Sequence, residues 1–126
     1  DLVYTFKSLL EGKVKSTKRG TYRLVDRVEA PEGAQPVIVD ASHPVLAGVP
    51  AGMPALLGYN KVVLKPGATL VASVGGDPLI ATSQVGKGRS LVWTSDIGPH
   101  WCPEPFVQWS GFAPLMANMI DWVTAK

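Results

Sequence analysis

The stretch SLVWTSDIGPHWCPEPFVQWSGFAPLMANMIDWVT, residues 90–124, decides the fold. It opens on an apolar strand, Ser90 to Ser95, crosses a loop rich in turn and acid–base residues, and closes on a helix. Phe112, Leu115, Met116, Met119, Ile120 and Val123 recur at helical spacing, and Trp122 widens the stripe. So broad an apolar face predicts a helix over 111–124 that packs against a sheet. Pro114 falls in its first turn, where backbone N–H groups have no intrahelical partner, so its ring removes no helical bond. Leu91-Val92-Trp93-Thr94 reads as an interior strand beneath that helix, which gives an α/β arrangement.

Upstream, short strands alternate with turn chemistry. Thr69–Val74 and Leu79–Val85 flank Gly75-Gly76-Asp77-Pro78, and Gly86-Lys87-Gly88-Arg89 forms the tight turn into Ser90. Leu57–Leu64 is a strand stopped by Lys65-Pro66-Gly67, and Pro36–Val39 is a short apolar one that runs into a Pro-punctuated loop ending at Pro50. Pro31-Glu32-Gly33 reads as a turn, because proline presets φ and glycine accepts a positive one. Thr21–Val25 alternates as a strand, while Tyr4, Phe6, Leu9 and Leu10 could anchor a short helical turn, although Gly12 and the Lys-rich run after it argue for an exposed loop. Spacings near ten residues suit antiparallel hairpins as well as a parallel sheet, so an all-β module with one helix is the rival architecture.

Composition narrows the function classes. With 126 residues, 46% of them hydrophobic and 17% charged, the chain fits one packed domain with a real core. Seven of its twelve basic residues precede Val28 (Lys7, Lys13, Lys15, Lys18, Arg19, Arg23 and Arg27), yet the net charge is only +2. Without an aromatic RNA-binding signature, this cluster reads as solvated surface and does not point to nucleic acid. No apolar run approaches the ~20 residues of a membrane span, and residues 1–20 lack a secretory apolar core. One cysteine, Cys102, allows no internal disulfide and no zinc cluster. The expected setting is cytoplasmic, with no metal and no cofactor.

From Asp40 onward a series of short motifs appears in order: Ser42-His43-Pro44-Val45-Leu46-Ala47-Gly48-Val49-Pro50, Leu57-Gly58-Tyr59-Asn60, Gly75-Gly76-Asp77-Pro78-Leu79, Gly86-Lys87-Gly88-Arg89, Thr94-Ser95-Asp96, Pro99-His100-Trp101 and Trp109-Ser110-Gly111-Phe112. Together they resemble class I glutamine amidotransferase-like domains over the last two-thirds of the chain. The resemblance implies a flavodoxin-like three-layer α/β sandwich, of which this chain supplies the C-terminal portion, β-rich with one apolar C-terminal helix. Active members of that class carry a cysteine on a glycine-flanked elbow in the earlier part of the domain and a late His-Pro-Glu motif. This sequence has no Gly-x-Cys-x-Gly elbow, and Thr94-Ser95-Asp96-Ile97-Gly98-Pro99-His100 stands where His-Pro-Glu would fall. The fold follows from the resemblance; glutaminase chemistry does not.

The remaining candidate chemistry lies in residues 95–102, beyond the carboxyl end of a strand, where open α/β sheets bind ligands. His100 is of the residue type suited to act as an acid or base, with Asp96 to orient it. Ser95 and Trp101 are the flanking ligand contacts. The rival reading has Asp96 capping the loop through backbone N–H groups, with His100 and Trp101 packing the helix entry. Cys102 lies two residues from His100, but Pro103 holds it extended, so it reads as a buried, inert thiol rather than a nucleophile. His43, before Pro44, reads as a lone surface or capping histidine rather than a ligand, and Gly86-x-Gly88 as a hairpin turn. The function expected is that of a divergent family member, a small-molecule hydrolase or ligand-binding domain without glutaminase activity; the alternative is a non-catalytic interaction or scaffold domain. A single domain over 1–126 that lacks its N-terminal part needs completing by an upstream segment, another chain or a second copy of itself, because one helix covers only one face of a sheet.

Overall fold

The computed structural model describes residues 15–17, 20–22 and 26–125. Strands β1 (Lys15–Thr17) and β2 (Gly20–Tyr22) pair with each other, and β3 (Asp26–Ala34) pairs with β5 (Leu56–Lys61). Strands β4 (Pro36–Ile38), β6 (Thr69–Val74), β7 (Asp77–Val85) and β8 (Gly88–Trp93) form a four-stranded sheet in the order β4-β6-β7-β8. All of these pairings are antiparallel. A four-residue helix, α1 (Glu104–Val107), precedes the long C-terminal helix α2 (Phe112–Thr124), which packs on β8 and on a 3₁₀ turn at Pro44–Leu46. This is the α/β fold expected: a central sheet with C-terminal helices against it, in keeping with a flavodoxin-like sandwich.

Local chemistry explains the hairpins. Gly75 and Gly76 make the two-residue link from β6 to β7 with φ of 57° and 80°. Two successive positive φ values are what a type I′ turn needs to match the twist of its strands. The core gathers between the sheet, the 3₁₀ turn and the helices, where Val45, Leu56, Val71, Val74, Leu79, Ile80, Phe106 and Leu115 are fully buried. Phe106 is its aromatic centre, with ring centroids 5.8 Å from Trp93, 5.6 Å from Trp109 and 6.2 Å from Phe112. Tilted and edge-on contacts of this kind are favourable for aromatic rings.

Four details differ from the sequence reading. Pro31-Glu32-Gly33 is no turn between elements but lies inside β3, whose register with β5 shifts between Glu29 and Ala34. A bulge absorbs the proline and the positive φ of Gly33, so the strand bends and continues. The strand read over 57–64 stops at Lys61. Helix α1 was not foreseen, since four residues that include Pro105 leave no period to detect. Strand β8 carries α2 as expected but is the end strand of its described sheet, paired only with β7. The strand read over 21–25 is seen as far as Tyr22 in β2; residues 23–25 lie outside the described residues, as do Tyr4, Phe6, Leu9 and Leu10.

His43 is a buried cap, and it ties the 3₁₀ turn to the sheet. Its Nδ1 accepts from the Val45 N–H (3.2 Å), so Nε2 carries the proton and donates to the Thr82 hydroxyl (3.1 Å). Trp122 of α2 lies against the imidazole, with ring centroids 4.6 Å apart, and Arg89 of β8 covers the indole at 4.6 Å. The Asn118 side chain donates to the Val45 and Ala47 carbonyls and fastens α2 to the same turn. Burial holds the His43 imidazole below its ordinary pKa of 6.5, against the opposing effect of the Asp40 charge. Unfolding restores the ordinary value, so below pH 6.5 the unfolded chain binds more protons than the folded one. His43 therefore leaves stability intact above pH 6.5 and subtracts from it as pH falls below that value. The melting temperature should decline on acidification from pH 6.5, before the carboxylates titrate. His43→Asn, which keeps an N-cap acceptor but does not titrate, should flatten the decline in calorimetric scans; an equal decline in the variant would assign the effect elsewhere.

Candidate functional site

At Thr94 the chain leaves β8 and is stitched to two neighbours. The Thr94 N–H donates to the Leu79 carbonyl (3.0 Å), its hydroxyl to the Pro78 carbonyl (2.9 Å), and its own carbonyl accepts from the Asn60 N–H (2.8 Å). The Ser95 hydroxyl donates to the Gly58 carbonyl (2.9 Å). Asp96 then closes the loop on itself. Its Oδ2 accepts from the Trp101 N–H (2.9 Å) and its Oδ1 from the Cys102 N–H (2.7 Å), while its carbonyl accepts from the Trp93 indole (2.8 Å). The Leu57 N–H donates to the Trp101 carbonyl (2.7 Å) and returns the loop to β5.

His100 sits at the rim of this loop. Its Nδ1 lies 3.4 Å from Asp96 Oδ2, and its side chain is 79% exposed. Nε2 has no protein partner among the described residues. The imidazole is stacked on the Trp101 indole, with centroids 6.0 Å apart and planes 22° apart. Trp101 is otherwise enclosed: Nε1 donates to Glu29 Oε2 (3.0 Å), Arg27 pairs with Glu29 (2.8 Å), and the Arg27 guanidinium lies 5.8 Å from the indole centroid. The ring lies so close to β5 that a Cβ at Gly58 would overlap it. Thus Asp96, His100 and Trp101 meet in one small cluster, and Ser95 is turned onto β5 as its anchor.

Cys102 points the other way. It is fully buried, and its thiol is pushed up to about 12, first by burial and then by the Asp96 charge. A thiol in that state supplies almost no thiolate at neutral pH, so it is inert as a nucleophile. Behind the loop, the Tyr59 hydroxyl donates to Asp77 Oδ2 (3.0 Å), and burial together with that carboxylate raises the phenol's pKa. No group of three potential metal ligands exists among the described residues. Sequence reasoning missed Arg27, Glu29 and Gly58. Arg27 and Glu29 lie two apart on β3 and share a face, but nothing in the sequence announces that Trp101, 72 residues later, is their partner.

A fold with the C-terminal helices on a central sheet, and a turn-rich loop at the end of β8, is consistent with a class I glutamine amidotransferase-like domain. The family model described as "Putative glutamine amidotransferase" matches residues 20–125, and the chain belongs to this family. Among solved structures it is similar to the cytoplasmic protein STM3548 of Salmonella typhimurium, at 34% identity and a TM-score of 0.74, over 78% of this chain and 39% of that one. It is also similar to the cytoplasmic protein STM1381 of Salmonella typhimurium LT2, at 30% identity and a TM-score of 0.75, over 96% of this chain and 47% of that one. The chain thus spans less than half the length of either relative. Comparison with curated proteins gave no match. No helix among the described residues is long and apolar enough to cross a membrane.

Two substitutions test this geometry. Gly58→Ala forces the Trp101 ring off β5 and should cost about 1–3 kcal/mol, the usual range for overpacking, with a change in tryptophan fluorescence. Asp96→Ala strips two backbone N–H groups of their acceptor at about 1–3 kcal/mol each, read as a lower melting temperature. An unchanged melt in Asp96→Ala would mean that the carboxylate does not hold the loop.

Proposed function

We propose that this chain is a divergent glutamine amidotransferase-like domain that binds a small-molecule ligand at the 95–102 loop and has no glutaminase chemistry of its own. His100 is the proton-handling group, Asp96 its orienting carboxylate, and Trp101 with Ser95 the adjoining surface. The observation that carries this reading is the division of labour at Asp96 Oδ2. It accepts the Trp101 N–H at 2.9 Å and faces His100 Nδ1 at 3.4 Å, which leaves Nε2 for a ligand. A carboxylate behind Nδ1 settles the tautomer and leaves Nε2 to accept or deliver a proton. The 3.4 Å spacing is loose for a hydrogen bond, as is common before a ligand draws such groups together. The cytoplasm is the proposed setting, supported by the two Salmonella relatives, both described as cytoplasmic proteins.

The second reading, a non-catalytic interaction domain, is favoured by a different fact. Both Asp96 oxygens are engaged by backbone N–H groups, so the carboxylate has a complete structural task without any ligand. His100 separates the two readings, because its exposed ring contributes little to packing.

The chain should release no ammonia from L-glutamine above background, and Cys102 should resist iodoacetamide at neutral pH until the protein is denatured. Acetate, acetamide and inorganic phosphate, titrated separately, should shift the His100 ring resonances in at least one case. His100→Ala should abolish that binding while moving the melting temperature by no more than about 0.5 kcal/mol equivalent, as for an ordinary surface change. Glutamine turnover lost in Cys102→Ser would overturn the assignment. Unmoved His100 resonances with all three probes would favour the interaction domain.

A further inference from the structure

We propose that β8 is built as an interior strand, and that its open edge receives a strand from the portion of the family's polypeptide that lies outside this chain's match to its relatives. The strand itself is the first reason. It pairs with β7 over six consecutive positions without a register shift, and no described strand lies on its other side. Natural edge strands are blunted by bulges, prolines or outward charges. Ser90-Leu91-Val92-Trp93 has none of these, and Arg89, the one charged residue within β8, is laid over the Trp122 ring.

The ladder shows which groups are left over. Val85 faces Gly88 across the two-residue turn, and the Thr94 N–H donates to the Leu79 carbonyl. By the two-residue period of an antiparallel ladder, the Ser90 and Val92 amides point at β7, while those of Arg89, Leu91 and Trp93 point outward.

The flanks of that edge are apolar on both faces of the sheet. Leu91, Trp93, Ile97, Met116, Ile120 and Val123 line a groove of about 480 Å³ beside α2, with Ile97 71% and Ile120 61% exposed. On the opposite face Val62, Val63, Ala81, Val85 and Val92 line another of about 390 Å³. A strand with apolar surface above and below it is the signature of the interior of an α/β sheet, where helices cover both faces.

Length and symmetry point to the occupant. The chain accounts for 39% and 47% of the two Salmonella relatives, so more than half of each lies outside the matched portion. A strand flanked by its own helices would satisfy the outward amides and fill both grooves at once. A second copy of this chain, paired antiparallel at β8 about a two-fold axis normal to the sheet, would bring its α2 to one face only and leave the other groove bare. The 95–102 loop leaves the carboxyl end of β8, so the incoming strand also borders His100.

Amide hydrogen exchange read by NMR tests this in two proteins. In the 126-residue chain, Ser90 and Val92 should exchange slowly, and Arg89, Leu91 and Trp93 about 100-fold faster or more, as unpaired amides do. In the Salmonella protein of 34% identity, the amides aligned with all five positions should be slow. Fast exchange at the three outward positions in the Salmonella protein would overturn the proposal. Slow exchange there in the 126-residue chain would also overturn it: light scattering of a dimer would assign the edge to a second copy, and of a monomer to a segment within this chain.

Discussion

The Asp96 carboxylate is the group on which the end of this fold depends. It stands where β8 leaves the sheet, and its two oxygens hold the N–H groups of Trp101 and Cys102. Hydrogen bonds to a charged acceptor contribute more than neutral ones, about 1.5–3 kcal/mol each. With both made, residues 96–102 form a closed loop rather than a free connection between strand and helix. Around this carboxylate the Trp101 ring is set against β5, the negative charge adds to burial in keeping the Cys102 thiol neutral, and His100 Nδ1 faces Oδ2 at 3.4 Å.

The motifs that carry the family resemblance meet in space through this loop. Gly58 lies bare under the Trp101 ring, and the next residue, Tyr59, reaches Asp77 in the Gly-Gly-Asp-Pro segment. Gly75 of that segment is equally close to the Tyr59 hydroxyl, where a Cβ would collide with it. Ser95 bonds the Gly58 carbonyl, and Trp109 lies against Gly111 at the start of α2. The motifs are a contact network that joins β5, the β6–β7 turn, the loop after β8 and the helix entry. What identifies the family in this chain is therefore its packing, which is why the fold can be recognised from these motifs whatever chemistry the domain carries.

Legibility divides along the same line. Strands 69–74 and 79–85 and the helix from Gly111 could be read because period, propensity and punctuation are local. The 31–33 segment could not, because Pro and Gly serve a turn and a bulge equally well, and only the pairing of β3 with β5 decides between them. Trp101 and Asp96 could be singled out from sequence, but not the Glu29 carboxylate that fixes the indole, since strand pairing alone brings residues 72 apart together. His43 was legible only as a surface or cap residue, and it is the cap. Its burial beneath Trp122, and hence its lowered pKa, depends on where α2 lands.

The spacing of His100 and Cys102 shows why proximity in sequence is poor evidence for a catalytic pair. Both are positioned by Asp96, yet to opposite ends. The backbone N–H of Cys102 is drawn to Oδ1 and its side chain enters the core, fully buried, while the His100 ring stays 79% exposed. A histidine activates a thiol only when it holds the sulfur's proton in the same pocket. Here the only charge identified as acting on the thiol is the Asp96 carboxylate, which disfavours the thiolate just as burial does. Two residues that are close in sequence are thus sorted by one carboxylate into a buried thiol and an exposed imidazole, a geometry that does not match a thiol–imidazole pair.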